Sequence, residues 1–132
     1  MVVSVAAALL IGACRSESTP AAAEEVIGWR PVGTWSGRGN VLTESFTSDT
    51  GGFRVHWQTS NEAPPGTGRF RAVFLSGDSG REIMEAANHR GVGRDTSYVG
   101  DRPRWYYLSV ESANVDWSLT VEEPVIGQPA KP

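Results

Sequence analysis

Between Phe53 and Gln58 the chain alternates without a break, Phe53, Val55 and Trp57 being apolar and Arg54, His56 and Gln58 polar. A period of two sends successive side chains to opposite faces of a strand, so the segment predicts one buried and one solvated face. Asp116 to Val121 repeats the pattern, with Trp117, Leu119 and Val121 set against Asp116, Ser118 and Thr120. Arg69 to Leu75 and Trp105 to Val110 are strand-like and richer in apolar residues, and Val32 to Ser36, Val41 to Phe46 and Thr96 to Val99 are shorter candidates. Turn residues punctuate the gaps at Gly37-Arg38-Gly39-Asn40, Asp49-Thr50-Gly51-Gly52, Pro64-Pro65-Gly66, Gly77-Asp78-Ser79-Gly80 and Ala113-Asn114. Short strands divided by turns every roughly 8 to 15 residues predict an all-β fold, a single antiparallel β-sandwich of seven or eight strands.

One stretch carries two competing signals. Ser79-Gly80-Arg81-Glu82 has the form of a capping box, and Ile83, Ala86 and Ala87 follow at helical spacing. A helix over 81–88 has only two turns and is marginal without tertiary support. A strand there completes a hairpin through the Asp78 to Gly80 turn, and the strand is the expectation taken forward.

Composition narrows the class. The 132 residues are 39% hydrophobic, too apolar for a disordered chain and of a length for one domain. Lys and Arg number 12 against 15 Asp and Glu, which disfavours nucleic acid as a partner, since that needs a concentrated basic face. All five Trp, three Tyr and four Phe fall between Trp29 and Trp117, which confines the core to that stretch. The division expected is therefore 1–13, 14–25, 26–123 and 124–132, with the sandwich in the third part and a Pro-rich tail in the fourth.

The first two parts carry an address. Met1 to Ala13 contains no charge, and Val2 to Ile11 is apolar apart from Ser4. That run is too short to span a bilayer, which takes about 20 residues, and has the form of a secretory h-region ending in small residues. Ile11-Gly12-Ala13-Cys14 resembles the lipobox of bacterial lipoproteins, in which the cysteine is acylated and becomes the new N-terminus. The chain departs from that pattern in having no Lys or Arg before Cys14. The resemblance implies a signal peptide at 1–13, palmitate or similar acyl chains on Cys14, and an extracytoplasmic, lipid-anchored protein at the membrane. Arg15, where an Asp commonly favours inner-membrane retention, points to the outer membrane in a cell with two. Arg15 to Glu25 is small and polar, a tether reaching roughly 20 Å. Cys14 is the only cysteine, so no disulfide staples the domain.

A second resemblance covers about residues 28–123. Gly33-Thr34-Trp35-Ser36-Gly37-Arg38-Gly39-Asn40, Phe53-Arg54-Val55-His56-Trp57, Ala87-Asn88 with Gly91 to Val99, Tyr106 to Val110 and Asp116 to Val121 resemble a small jelly-roll-like sandwich domain that recurs in bacterial and archaeal lipoproteins. It implies a fold, with no activity or catalytic residues attached.

Chemistry-bearing motifs are sparse. Gly77-Asp78-Ser79-Gly80 matches the surroundings of a chymotrypsin-like nucleophile, but such enzymes need two barrels to align their triad, and a polar hairpin turn accounts for the tetrapeptide. His56 and His89 lack a second ligand at metal-binding spacing, and Asp49, Asp78, Asp95, Asp101 and Asp116 show no Ca²⁺-loop spacing, so no metal or other cofactor is expected. Glu44, Glu82, Glu85 and Glu111 fall on strands, and a pair facing across a cleft is what a small hydrolase would need.

The strongest constellation is basic. Arg54 and His56 point outward if Phe53 is buried, as do Arg69 and Arg71 on their own strand; on neighbouring strands the four form a site for a carboxylated or phosphorylated ligand, which guanidinium forks fit. The bland alternative is a solvated sheet face whose charges discourage edge aggregation. Trp105 and Tyr107, of opposite parity to Leu108 and Val110, are the candidate aromatics for sugar stacking. Together these features describe a non-catalytic binding module of the cell envelope, its partner a polysaccharide or a protein, with a structural accessory subunit of an envelope complex as the main rival and a small hydrolase as a remote one.

Replacing Cys14 with Ser is expected to release the protein from membranes. Fractionation of cells expressing the variant checks this, and pelleting that survives a carbonate wash would contradict the lipoprotein reading.

Overall fold

The computed structural model describes residues 25–127, all in strands or the turns between them. The signal segment, Cys14, most of the tether and residues 128–132 lie outside the described residues. Nine strands follow in order: β1 (Glu25–Arg38), β2 (Val41–Leu42), β3 (Phe46–Ser48), β4 (Gly52–Ser60), β5 (Arg69–Ser76), β6 (Glu82–Arg90), β7 (Gly93–Gly100), β8 (Arg104–Ala113) and β9 (Asp116–Gly127). Their pairing is nested. β5 pairs with β6 across the central turn, β4 with β7, β2 and β3 with β8, and β1 with β9. The chain behaves as one long antiparallel hairpin wrapped on itself. Contacts of β9 with β4 and of β8 with β5 complete two sheets, ordered β1-β9-β4-β7 and β2-β8-β5-β6 with β3 also on β8. The expected antiparallel sandwich is present, and this is the strand order of a jelly roll.

Alternation places the core. Phe53, Val55 and Trp57 of β4 and Trp117, Leu119 and Val121 of β9 face Phe70, Ala72 and Phe74 of β5 and Tyr106, Leu108 and Val110 of β8, all buried. Aromatic rings concentrate at both ends of this layer. At one end Phe53 stacks on Phe74 with centroids 4.6 Å apart, and Tyr106 meets Phe53 edge-on at 5.1 Å. At the other, Phe70 lies 5.6 Å from Trp57 and 5.9 Å from Trp117. Offset and edge-on geometries satisfy the ring quadrupoles as well as burying area. The Trp117 indole N–H donates to the Gly39 carbonyl at 2.9 Å, so its one polar atom is paired.

The strand expected between Val41 and Phe46 is broken into β2 and β3 by Thr43. Its backbone N–H donates to the Leu108 carbonyl, and its hydroxyl accepts the Leu108 N–H, both at 2.9 Å, so a side chain replaces one rung of the ladder. The contested stretch is β6, a strand. Two register shifts against β5 leave Ile83 and Ala86 as extra residues, and the second turns both Ala86 and Ala87 toward the core. A bulge thus mimics the spacing of a helical face. The Gly77 to Gly80 tetrapeptide is the β5–β6 turn, closed by Ser76 N–H to Arg81 O and Gly80 N–H to Ser76 O, both 2.8 Å.

β9 runs on to Gly127, so Pro124 to Gly127 of the expected tail are in the sheet, opposite β1. β9 is flanked on its β4 side only as far as Glu122, and a proline at 124 forfeits no ladder bond there. The inward alternation of β9 continues through Glu123, whose carboxylate is buried. It accepts hydrogen bonds from Arg30 Nε at 2.7 Å and Ser48 Oγ at 3.0 Å, and Ser48 Oγ in turn accepts the Gly51 N–H at 2.9 Å. A buried carboxylate is tolerable only when paired in this way, and the arrangement ties β1, β3 and the turn into β4 onto β9.

Trp117→Ala is expected to destabilise the domain by about 3 to 5 kcal/mol, through lost burial and a residual cavity. Denaturant titration with intrinsic fluorescence measures it.

Candidate functional site

β4 lies in one sheet and β5 in the other, so the four-residue basic cluster expected on one face does not form. Arg54 and His56 are on the outer face of the β1-β9-β4-β7 sheet, whereas Arg69 and Arg71 are on the outer face of the opposite sheet. The reason is topological: consecutive strands β4 and β5 cross from sheet to sheet, and outward residues on the two point in opposite directions.

On the first face, cross-strand rows can be read from the register. Tyr98, Arg54, Glu122 and Pro31 form one row; Thr96, His56, Thr120 and Thr34 the next; Arg94, Gln58, Ser118 and Ser36 the third. Arg54 is held by two partners. Its Nε and Nη2 reach the two oxygens of Glu122 at 3.1 Å each, and its guanidinium carbon sits 4.4 Å from the Trp29 ring centroid. Trp29 meets Tyr98 edge-on at 6.0 Å. This bidentate, stacked geometry is specific to arginine.

Glu122 also accepts from His56 Nε2. A carboxylate can only accept, so Nε2 carries a proton, and Nδ1 lies 2.9 Å from the Thr96 hydroxyl, within hydrogen-bond distance. The hydrogen bonds from Arg54, ahead of the opposing effect of burial, hold the Glu122 carboxyl below its usual range, and the same bonds raise the Arg54 guanidinium. Arg54 is therefore neutralised locally, and the face is dipolar where the sequence suggested it was basic.

Beyond His56 the small side chains of the next rows leave an open depression of ≈ 540 Å³, lined by His56, Gln58, Arg94, Thr96, Ser118 and Thr120 over the β4–β7 and β4–β9 backbone. Among the described residues the side chains of Gln58 and Arg94 have no hydrogen-bond partner, so an amide and a guanidinium are available to an incoming group. At the far end of the face Tyr98 is 68% exposed. Asp95 also lines the depression, so the site offers hydroxyl and amide groups, a guanidinium with a carboxylate beside it in sequence, and an aromatic flank.

The opposite face is organised differently. Arg71 sits among three carboxylates, bonded to Glu85 at 2.7 Å and to Glu82 at 3.2 and 3.3 Å, with Glu111 at 3.9 Å. Three of the four acids weighed as catalytic partners thus converge on an arginine, while Glu44 accepts from the Trp35 indole at 3.4 Å. Arg69 lies beyond them, directly opposite Arg90 of β6. Trp105 and Tyr107 point outward as their parity predicts, Trp105 being 54% exposed and Tyr107 half-buried. Both rest on the β5–β6 turn, where a side chain at Gly77 would collide with Trp105 and one at Gly80 would crowd the Tyr107 hydroxyl. His89 turns the other way and packs on Trp57, ring centroids 5.0 Å apart. Asp116 accepts from Arg38 at 3.0 Å and Asn61 at 2.7 Å, and Asp49 lies 3.4 Å from Arg30.

Glu122, Trp29, Tyr98 and Arg94 join the site without having been singled out in the sequence, and Gln58 joins it from the outward set it shares with Arg54 and His56. Glu122 was within reach: extending the alternation of Ser118 and Thr120 by one step places it outward, beside whatever strand pairs with β9. Trp29 lies just beyond a bulge in β1, which hides its parity.

The depressed Glu122 carboxyl has a consequence for stability. Its folded pKa lies below the unfolded one, so its ion pair stabilises the fold at pH above the ordinary carboxylate range, and that contribution is lost as pH falls through the folded value. Asp116, lowered by its bonds from Asn61 and Arg38, acts in the same direction. Glu122→Gln is expected to lose less stability than the wild type between pH 7 and pH 3, by denaturant titration at each pH; equal losses would mean the carboxylate is not coupled to folding. Compared with protein-family models, curated proteins and solved structures, the chain matches none.

Proposed function

We propose that this protein is a non-catalytic binding module of the cell envelope, lipid-anchored through Cys14 on the extracytoplasmic side, that engages polysaccharide with the outer face of the β1-β9-β4-β7 sheet. The observation that carries the reading is the open, hydroxyl- and amide-lined depression at Gln58, with the exposed Tyr98 ring on the same face and Arg54, Glu122 and His56 locked between them. Sugars present hydroxyls to such groups and apolar C–H patches to aromatic rings. Few, well-placed polar groups on a pre-formed surface are what orientation of a small ligand requires. The Arg54, Glu122 and His56 side chains in the middle of the face hold one another in place and so keep the border of the depression fixed. The lipobox-like Ile11-Gly12-Ala13-Cys14 and the short polar tether supply the location: they would hold the domain close to the membrane, at the outer one in a cell with two.

The accessory-subunit reading has its own support on the opposite face. There Trp105 and Leu42, 54% and 65% exposed, lie on the same outer face. Exposed apolar groups of this kind suit a protein partner.

The two readings separate by mutation. Gln58→Ala and Tyr98→Ala are each expected to weaken binding to a panel of neutral and acidic envelope polysaccharides about tenfold, the effect of losing roughly 1.4 kcal/mol, with the thermal midpoint little changed as for ordinary surface positions. Titration of the Cys14→Ser chain against each polysaccharide measures this. Unchanged binding in both variants, or no binding to any polysaccharide by the wild type, would refute the sugar site.

A further inference from the structure

The sheet that does not carry the sugar site ends in an arrangement that is electrostatically incomplete. Arg69 of β5 and Arg90 of β6 are direct cross-strand partners, both exposed and on the same face. Like charges directly opposite each other on a sheet destabilise it. On its other side Arg69 faces Ala113 of β8, whose methyl group cannot cover or neutralise it. Among the described residues no carboxylate lies within salt-bridge distance of either guanidinium. One row away the pattern is reversed: Arg71 holds Glu82 and Glu85, with Glu111 on the same side. The acids of this face are thus gathered on one arginine, and two others are left together.

The two arginines border an open depression of ≈ 570 Å³ whose rim also includes Asn40, Asn88, Glu111 and Ala113. Asn40 Oδ1 is committed to the Ser112 N–H at 2.9 Å, which leaves the Asn40 amide nitrogen as a donor. Each guanidinium adds a fork of N–H donors and has no acceptor. The depression therefore offers donors and positive charge in excess, on a protein whose net charge is −3.

We propose that Arg69 and Arg90 form a phosphate-binding site, which takes a phosphomonoester group between the two guanidinium forks. A phosphomonoester carries close to two negative charges at pH 7 and matches both arginines at once, with three oxygens to accept from them. A carboxylate carries one charge and fills one fork, so it leaves the repulsion half relieved. The site lies on the sheet opposite the proposed sugar face and shares no residue with it, so either reading can fail without the other.

Inorganic phosphate is the probe, with acetate and chloride compared at matched ionic strength and the Cys14→Ser chain as the protein. Phosphate is expected to raise the thermal midpoint above that in chloride, through binding to the folded state alone, and acetate to raise it less. Arg69→Gln and Arg90→Gln are each expected to weaken phosphate about tenfold, since a hydrogen bond to a charged group contributes roughly the 1.4 kcal/mol that this factor represents. Both should also raise the midpoint in chloride, because the repulsion is gone. Arg90→Lys keeps the charge without the fork and should fall between, and Arg81→Gln, in the turn at the opposite end of the β5–β6 hairpin, should behave as wild type. A wild-type midpoint equal in phosphate and chloride, or a phosphate response kept in both glutamine variants, would overturn the site. Titration with glucose 6-phosphate and sedimentation with phosphatidic acid vesicles then assign the group to a sugar or to a lipid headgroup. Whichever binds must bind less well to Arg90→Gln, and binding to neither overturns the proposal.

Discussion

The stacking of Phe53 on Phe74 across the interior, 4.6 Å between centroids, is the contact on which the rest of the molecule turns. It joins β4 to β5, consecutive strands that lie in different sheets, and with Tyr106 and Phe46 it fills the end of the core farthest from Trp117. Once these two inner faces meet, the polar residues between the apolar ones must leave in opposite directions. Arg54 and His56 go to one surface and Arg69 and Arg71 to the other. The two candidate sites exist as separate sites because the core is built this way.

The two outer faces handle charge by different means. On the β1-β9-β4-β7 sheet an arginine is neutralised by one carboxylate and stacked on an indole, and the product is a locally neutral surface bordering a polar depression. The opposite sheet collects three carboxylates around Arg71 and leaves Arg69 and Arg90 facing each other. A compensated arginine positions its neighbours, whereas an uncompensated pair attracts an anion. The same residue type therefore has two meanings here, set by whether the cross-strand partner is an acid or a second arginine.

With no cysteine outside position 14, the domain is held together by packing and by polar ties at its ends. Glu123 is the chief of these, since its carboxylate reaches Arg30 of β1 and Ser48 of β3 from β9 and brings the chain's outermost strands to the start of β4. Thr43 plays a similar part at the break between β2 and β3, and Trp117 closes the far end on Gly39. Such ties suit a nested hairpin, in which strands far apart in sequence must find each other.

Much of the architecture was legible from the chain because period-two alternation is a local property: it marks β4 and β9, and the outward parity of Trp105 and Tyr107, whatever those strands pair with. Burial also sets composition, so the aromatic residues bracket the core. What alternation cannot report is partnership. Only the tertiary structure decided that β4 neighbours β7 and β9 and not β5, which dissolved the four-residue basic cluster and placed Glu122 beside Arg54 and Arg90 beside Arg69. Bulges defeat the local signal outright, as at Ala86 and Ala87, where an inserted residue gave a strand the spacing of a helix, and in β1, where one hid the parity of Trp29. A side chain's facing direction is written in its immediate neighbours, and its function depends on charges and hydroxyls that pairing brings from some 70 residues away, as Glu122 lies from Arg54.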